Sequence, residues 1–501
     1  MSKSCDASVA TDPLAAALQR QFGWSDFRPG QREVIEALLA GQDALAVLPT
    51  GGGKSLCYQL PAVLRQGLVV VVSPLVALMQ DQVGQLLARG VAAACLHRDL
   101  PTVERLDLGQ RLRQGRMRLL YLAPERLQLS STRQMLEEQH GGGRLVALAV
   151  DEAHCISAWG HDFRPDYRRI GHLRELCSGV PLVALSATAA PQVRADIIRL
   201  LRLRRPLLQV HSARRSNLAY AMVLRPADPL PVVLEALQQA RGARLIYART
   251  RRAVEAWTQR LQQVGLEAVA YHAGLEPAQR RQALAHFLGR EQPVLVATVA
   301  FGMGVDRADV GLVLHLELPV SPEAYLQESG RAGRDGLPAR CLVLYSSGDR
   351  IRLGWALAAQ RDNEADRLRS HLAQRQLRRM EAIAEGDGCR EQALLQAVGE
   401  LVAACGRCDA CERADGQRRD WSEQASQVLA ALAQQDGLEL NVLKRELAER
   451  QHQGEGHWGW LARRLVQEEL IAESDDGAQR LYLRPTGRTY LRRPWPLHWA
   501  A

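Results

Sequence analysis

Residues 44–60 of this 501-residue chain read ALAVLPTGGGKSLCYQL, and the fold follows from how that stretch divides. Ala44 to Leu48 is a short, continuous apolar run, as in a strand buried on both faces of a parallel sheet. Pro49-Thr50-Gly51-Gly52-Gly53 is turn chemistry, and the apolar residues that begin at Leu56 open a helix. Strand, glycine loop and helix in that order make a phosphate cradle. The glycines let backbone N–H groups close around phosphates, and the helix N-terminus adds its positive end. Lys54 reaches the β- and γ-phosphates, and Ser55 can hold Mg²⁺. The bland alternative is a glycine-rich loop with a chance lysine. Only Lys3, Lys54 and Lys444 are lysines, against 61 arginines among 64 basic residues, so a lysine in this place is informative.

The same alternation continues outward. Apolar runs at Leu68 to Ser73, Leu119 to Ala123, Leu145 to Val150 and Leu182 to Ser186 predict further parallel strands. A second series runs through Ala219 to Leu224, Arg244 to Ala248, Ala268 to Tyr271, Val294 to Thr298, Leu312 to Leu316 and Cys341 to Tyr345. Two α/β lobes of about 150 residues each account for this better than one large sheet. Hydrophobic residues at 47% and charged residues at 24% exclude a disordered, collagen-like or disulfide-stapled chain. The longest nearly apolar stretch, Gly67 to Met79, is too short to span a membrane. The N-terminus lacks a signal-peptide layout, which predicts a cytoplasmic chain, nucleoid-associated if bacterial, with reduced cysteines. A net charge of +9 favours a polyanionic partner, although arginine is so abundant that no single one carries meaning without a motif.

Asp151-Glu152-Ala153-His154 ends the strand Leu145 to Val150, where a parallel sheet presents ligands to its crevice. Asp151 suits Mg²⁺ and Glu152 suits polarising a water; a capping pair is the bland reading. In the second series, Gln327 precedes Arg331 and Arg334, two arginines three apart and so expected on one face of a helix. They suit fingers that reach a γ-phosphate when the lobes close.

Together these motifs resemble the RecQ family of ATP-dependent DNA helicases, within superfamily 2, over residues 15 to 490. The resemblance implies two RecA-like parallel-sheet lobes, a helical zinc-binding subdomain and a winged helix. It implies ATP with Mg²⁺ as cofactors, 3′-to-5′ movement, and single-stranded and forked or partly duplex DNA as partner. A single-stranded-DNA-binding protein or a topoisomerase as protein partner, and a monomeric chain, follow by the same analogy. Trp24, Arg28 and Gln31, in Phe22-Gly23-Trp24 and Phe27-Arg28-Pro29-Gly30-Gln31, resemble the family's adenine-reading motif, with Gln31 on the adenine edge. Ser73-Pro74-Leu75 with Gln80-Asp81-Gln82, and Ala123-Pro124-Glu125-Arg126-Leu127, resemble motifs that contact the DNA backbone. Ser186-Ala187-Thr188 resembles the motif linking nucleotide state to lobe movement; His272 and the segment up to Asp306 resemble second-lobe DNA and coupling motifs. The segment after the carboxylates, with Trp159, His161, Phe163 and Arg164, resembles the family's aromatic-rich loop, on which bases could stack. With His154 it would couple DNA occupancy to hydrolysis. Arg249-Thr250-Arg251 departs from the family's usual Asn-Ser-Arg, and His97-Arg98-Asp99 from a more polar stretch.

Cys389, Cys405, Cys408 and Cys411 form C-x15-C-x2-C-x2-C, which suits a closed tetrahedral Zn²⁺ site of structural role and not the bacterial iron–sulfur run. Arg350 to Ile383 reads as one long amphipathic helix. Glu423 to Gln435, Val442 to Glu449 and Trp458 to Leu470 read as three helices, followed by a hairpin around Asp475-Asp476-Gly477. That order is a winged helix, with Arg463 and Arg464 on its third helix as phosphate contacts. The expected division is an N-terminal tail (1–14), two lobes (15–208 and 209–346), the zinc subdomain (347–415), the winged helix (416–492) and a C-terminal tail (493–501), with no room for the family's extra HRDC domain.

Overall fold

The computed structural model describes residues 12–98, 100–157, 162–299, 307–358, 364–413, 418–451, 454–474 and 479–500. The first lobe is a parallel sheet of seven strands: β1 (Ala44–Val47), β2 (Leu68–Val72), β3 (Ala93–Leu96), β4 (Leu119–Leu122), β5 (Leu145–Val150), β6 (Leu182–Ser186) and β7 (Leu207–Val210). They lie in the order β3-β4-β2-β5-β6-β1-β7. The central strands β1, β2 and β4 are wholly buried, because helices cover both faces. β3 and β7 are the two strands absent from the sequence reading. Both are edge strands: β3 is rich in alanine and β7 alternates between half-buried and exposed positions, so neither forms a continuous apolar run.

The second lobe is a parallel sheet of β8 (Leu218–Leu224), β9 (Ala243–Tyr247), β10 (Ala268–Tyr271), β11 (Val294–Ala297), β12 (Val310–His315) and β13 (Ala339–Tyr345), in the order β10-β11-β9-β12-β13-β8. The expected single helix of 350–383 is instead two, Ser347–Ala358 and Glu364–Glu385, packed on each other. Periodicity alone does not separate two packed helices from one. Leu377, Met380, Leu394 and Cys408 share one core with Tyr220, Tyr325 and Val343 of the second lobe, so the zinc segment borrows the lobe's apolar surface.

The C-terminal unit has helices Ser422–Gln434, Leu440–Gln451 and Glu455–Gln467, then the antiparallel strands Ile471–Glu473 and Arg480–Leu483, the latter also paired with Leu438–Glu439. Helix Pro485–Arg492 follows. Residues expected to trail as a tail are part of the fold: His498–Ala500 pairs with Arg418–Asp420, and Trp421 Nε1 donates to the Trp499 carbonyl at 3.0 Å. The hairpin tip Asp475-Asp476-Gly477-Ala478 lies outside the described residues.

Candidate active site and nucleic-acid interface

Sheet order sets the site. β6 separates β1 from β5, so Ser186 at its end lies between the phosphate loop and Asp151-Glu152. Leu48 N–H donates to the Ser186 carbonyl at 3.0 Å, and the loop then turns through Gly51 and Gly53, both left-handed (φ 80° and 69°), before helix Leu56–Leu64. A cleft of about 630 Å³ opens above it. Its walls carry Trp24, Arg28, Gln31, Thr50, Gly51, Gly53, Lys54, Ser55, Asp151 and Glu152 from the first lobe, and Gln327, Arg331 and Arg334 from the second. Trp24 is 45% exposed and stacks on Phe22, which leaves it a face for a base. Gln31 lines the cleft and also bonds its loop. Its Nε2 donates to the carbonyls of Gly52 (3.1 Å) and Gly53 (3.0 Å), and its Oε1 accepts from Arg28 N–H, so its carboxamide braces the phosphate loop. Asp81 and Gln82, expected on the DNA side, also line this cleft; Gln82 Oε1 accepts from Gln59 on the helix behind the loop.

Asp151 is buried. Burial, and next the charge of Glu152, push its carboxyl up, while Lys54 pulls it down. A buried carboxylate beside a hydroxyl-bearing loop and an ammonium suits a divalent cation, and Asp151 and Ser55 are the residues placed to hold one. Glu152 sits at φ 47°, ψ 47°, a left-handed conformation rare outside glycine, stabilised here by Glu152 N–H donating to Asp151 Oδ1 at 3.0 Å. Its Oε2 lies 3.4 Å from His154 Nδ1, which is also 3.1 Å from Ser186 Oγ; that hydroxyl donates to the Thr188 carbonyl at 2.7 Å. Half-buried Glu152 and buried His154, Ser186 and Thr188 thus form one polar chain from the cleft to the end of β6.

Arg331 and Arg334 do not lie on a helix. Helix Pro322–Ser329, capped by Ser321, stops at Gly330, and both arginines belong to the turn beyond it, yet both reach the cleft. Arg215, which the sequence reading missed, links the lobes: it donates to the Gly333 carbonyl at 2.6 Å and to the Thr50 carbonyl at 3.5 Å. It stands outside any motif and only the fold reveals it.

The four cysteine sulfurs lie within 4.8 Å of one another, with Cys389 to Cys408 and Cys405 to Cys411 both at 4.0 Å. Tetrahedral zinc with Zn–S bonds of about 2.3 Å requires sulfurs roughly 3.8 Å apart. Backbone N–H groups of Gln392 (3.5 Å) and Cys405 (3.2 Å) point at Cys389 Sγ. Burial raises that thiol, but these donors outweigh it and hold the thiol below its ordinary range.

The expected DNA contacts divide. Phe163 is half-buried, with the Arg168 and Arg369 guanidiniums over its ring at 4.9 and 5.4 Å. Arg164 donates to Asp162 and to the Pro74 carbonyl at 3.0 Å, tying the aromatic segment to Ser73-Pro74-Leu75. Trp159, His161 and Asp306 lie outside the described residues. His272 is buried, with its Nε2 3.2 Å from Glu255, so it presents no surface to a strand. Arg463 and Arg464 are turned inward as well. Arg463 pairs with Glu385 at 2.7 Å and Arg464 with Asp387 at 2.9 Å, the latter also over the Trp499 ring at 5.1 Å. They seat the C-terminal unit on the end of helix Glu364–Glu385 and the bend just after it, and are not placed as phosphate contacts. The third helix faces the zinc subdomain, where the acidic end of that helix pairs with arginine.

Three family models match in succession: DEAD/DEAH box helicase over residues 28–197, helicase conserved C-terminal domain over 228–336, and RecQ zinc-binding over 347–412. The chain is 40% identical over 402 residues to the ATP-dependent DNA helicase RecQ of Pasteurella multocida, covering 79% of this chain and 61% of that one. It is 39% identical over 424 residues to the ATP-dependent DNA helicase Q5 of Rattus norvegicus, covering 80% and 43%. The chain therefore spans about three fifths or less of these two relatives' lengths. The Mycobacterium smegmatis helicase Lhr, solved with ssDNA and AMP-PNP, shares the fold at a TM-score of 0.56 and 18% identity, covering 94% of this chain and 60% of that one.

Proposed function

We propose that the chain is a RecQ-family ATP-dependent DNA helicase moving 3′ to 5′ on single-stranded DNA. The observation that carries the reading is the shared cleft, with Lys54, Asp151 and Glu152 on one wall and Gln327, Arg331 and Arg334 on the other. Trp24 and Arg28 hold the adenine, and Gln31 braces the loop beneath. Lys54 and the loop N–H groups bind the phosphates. Mg²⁺ would sit with Ser55 and Asp151 and supply charge neutralisation at the β- and γ-oxygens. Glu152 orients and deprotonates the attacking water, and Arg331 and Arg334 stabilise the charge that develops on the γ-phosphate. The chain from Glu152 through His154 to Ser186 and Thr188 ties that chemistry to the lobe boundary. Arg164 and Phe163 bring DNA occupancy to Pro74, just past the end of β2. The C-terminal unit, as a winged helix, takes duplex ahead of the motor, while Zn²⁺ on the four cysteines holds its support.

The test is ATP hydrolysis and strand displacement on DNA and RNA forks, with Lys54→Ala and Glu152→Gln as controls. DNA-stimulated hydrolysis with strand displacement supports the reading. Hydrolysis without displacement leaves an ATP-switched DNA-binding protein, and displacement of RNA alone leaves an RNA helicase.

A further inference from the structure

The second lobe's side of the cleft holds a buried polar pair to which the reading above gives no role. His315 closes β12, and Glu328 lies in helix Pro322–Ser329, three residues before Arg331. His315 Nε2 and Glu328 Oε2 are 2.8 Å apart, with side chains 4% and 13% exposed. Two tyrosines pack the imidazole. Tyr247, which closes β9, stacks on it with centroids 4.9 Å apart, and Tyr325 meets it edge-on at 5.2 Å. Tyr247 in turn adjoins the arginine: burial drives its phenol up to about 12, and the Arg331 guanidinium is the largest influence opposing that.

The spacing creates a hazard. Glu328 in the last turn of helix Pro322–Ser329 and Arg331 in the turn that follows are three residues apart, which puts the carboxylate within a side chain's reach of the guanidinium. Arg331 is buried, and a guanidinium captured by its own chain would be withheld from the γ-phosphate. Among the described residues Arg331 Nε makes no hydrogen bond, while Glu328 is engaged by His315.

We propose that His315 is a positioning residue for ATP hydrolysis: by engaging Glu328 against the end of β12, it keeps that carboxylate off Arg331 and leaves the arginine aimed into the cleft. The proposal rests on the helicase reading, and its test is a rescue experiment on the full chain. His315→Phe keeps a ring on Tyr247 but removes the hydrogen bond to Glu328. Its kcat for DNA-stimulated ATP hydrolysis is expected to fall about tenfold, with KM for ATP within about twofold and DNA affinity unchanged. Adding Glu328→Gln removes the capturing charge and is expected to restore kcat to within about threefold of wild type. Glu328→Gln alone is expected to stay near wild type, which can be read even if His315→Phe fails to fold. Three results overturn the proposal: His315→Phe at wild-type kcat, a double variant as slow as His315→Phe, or Glu328→Gln alone losing tenfold or more. Wild-type protein without DNA-stimulated hydrolysis would instead sink the helicase reading itself.

Discussion

Arg463 separates two opposed accounts of the C-terminal unit. Its Nε lies 2.8 and 2.9 Å from the two Glu385 oxygens and a terminal nitrogen 2.7 Å from one of them, with the side chains 16% and 3% exposed. Truncating one partner of a buried pair leaves the other charge unpaired and costs about 3–5 kcal/mol. Nearby, Arg350 pairs with Glu381 at 2.7 Å and Glu473 at 2.9 Å, so it recovers only part of the loss at Glu385. Arg463→Ala should therefore weaken the seating of the unit on helix Glu364–Glu385 by about two to three and a half decades in equilibrium constant. Limited proteolysis and small-angle scattering should register an undocked unit, with ATP hydrolysis on single strands largely retained. A phosphate contact predicts something else: a seated unit, weaker duplex binding, and a slope of log affinity against log salt smaller by about 0.9. That second pattern, with unchanged proteolysis, would refute the inward assignment.

Glu152→Gln should still bind nucleotide but lose about two to four decades of DNA-stimulated turnover, read by single-turnover hydrolysis beside a nucleotide-binding titration. Cys408→Ser should abolish bound zinc in metal analysis and lower the melting temperature of the second lobe, because Cys408 lies in that lobe's shared core. Asp349 is buried, which raises its carboxyl, but hydrogen bonds and charge from Arg225 outweigh this and hold it below its ordinary value of 3.8. Its contribution to stability is then complete above that value and is lost as pH falls below it. The melting-temperature gap between wild type and Asp349→Asn should be full at pH 6 and close progressively under acid.

What was legible followed from constraints local in sequence. The phosphate loop, the carboxylates after β5 and the cysteine spacings each depend on backbone within a few residues, and all arise in the structure as read. The misreadings are long-range. Arg463 and Arg464 looked solvent-facing because their partners, Glu385 and Asp387, lie about eighty residues earlier. That Gln31 braces the phosphate loop was not legible either, because nothing nearby shows that Gly52 and Gly53 offer it carbonyls. In a chain with 61 arginines the type says little, and the carboxylate across the interface decides the role.

The glycines of the two lobes answer to one geometric demand. Gly51 needs its left-handed turn, and a Cβ added there would meet Arg334 Cγ at 3.5 Å. Gly330 has an ordinary right-handed backbone, and a Cβ there would meet the Leu326 carbonyl at 2.8 Å and Thr50 across the gap at 3.1 Å. One glycine bends the phosphate loop and the other clears space for that loop's approach, while Arg215 joins the Thr50 and Gly333 carbonyls across the gap. A motif whose parts are far apart in sequence is thus a record of close approach. Helix Pro322–Ser329 ends at Gly330, where the other lobe's Thr50 comes closest to it.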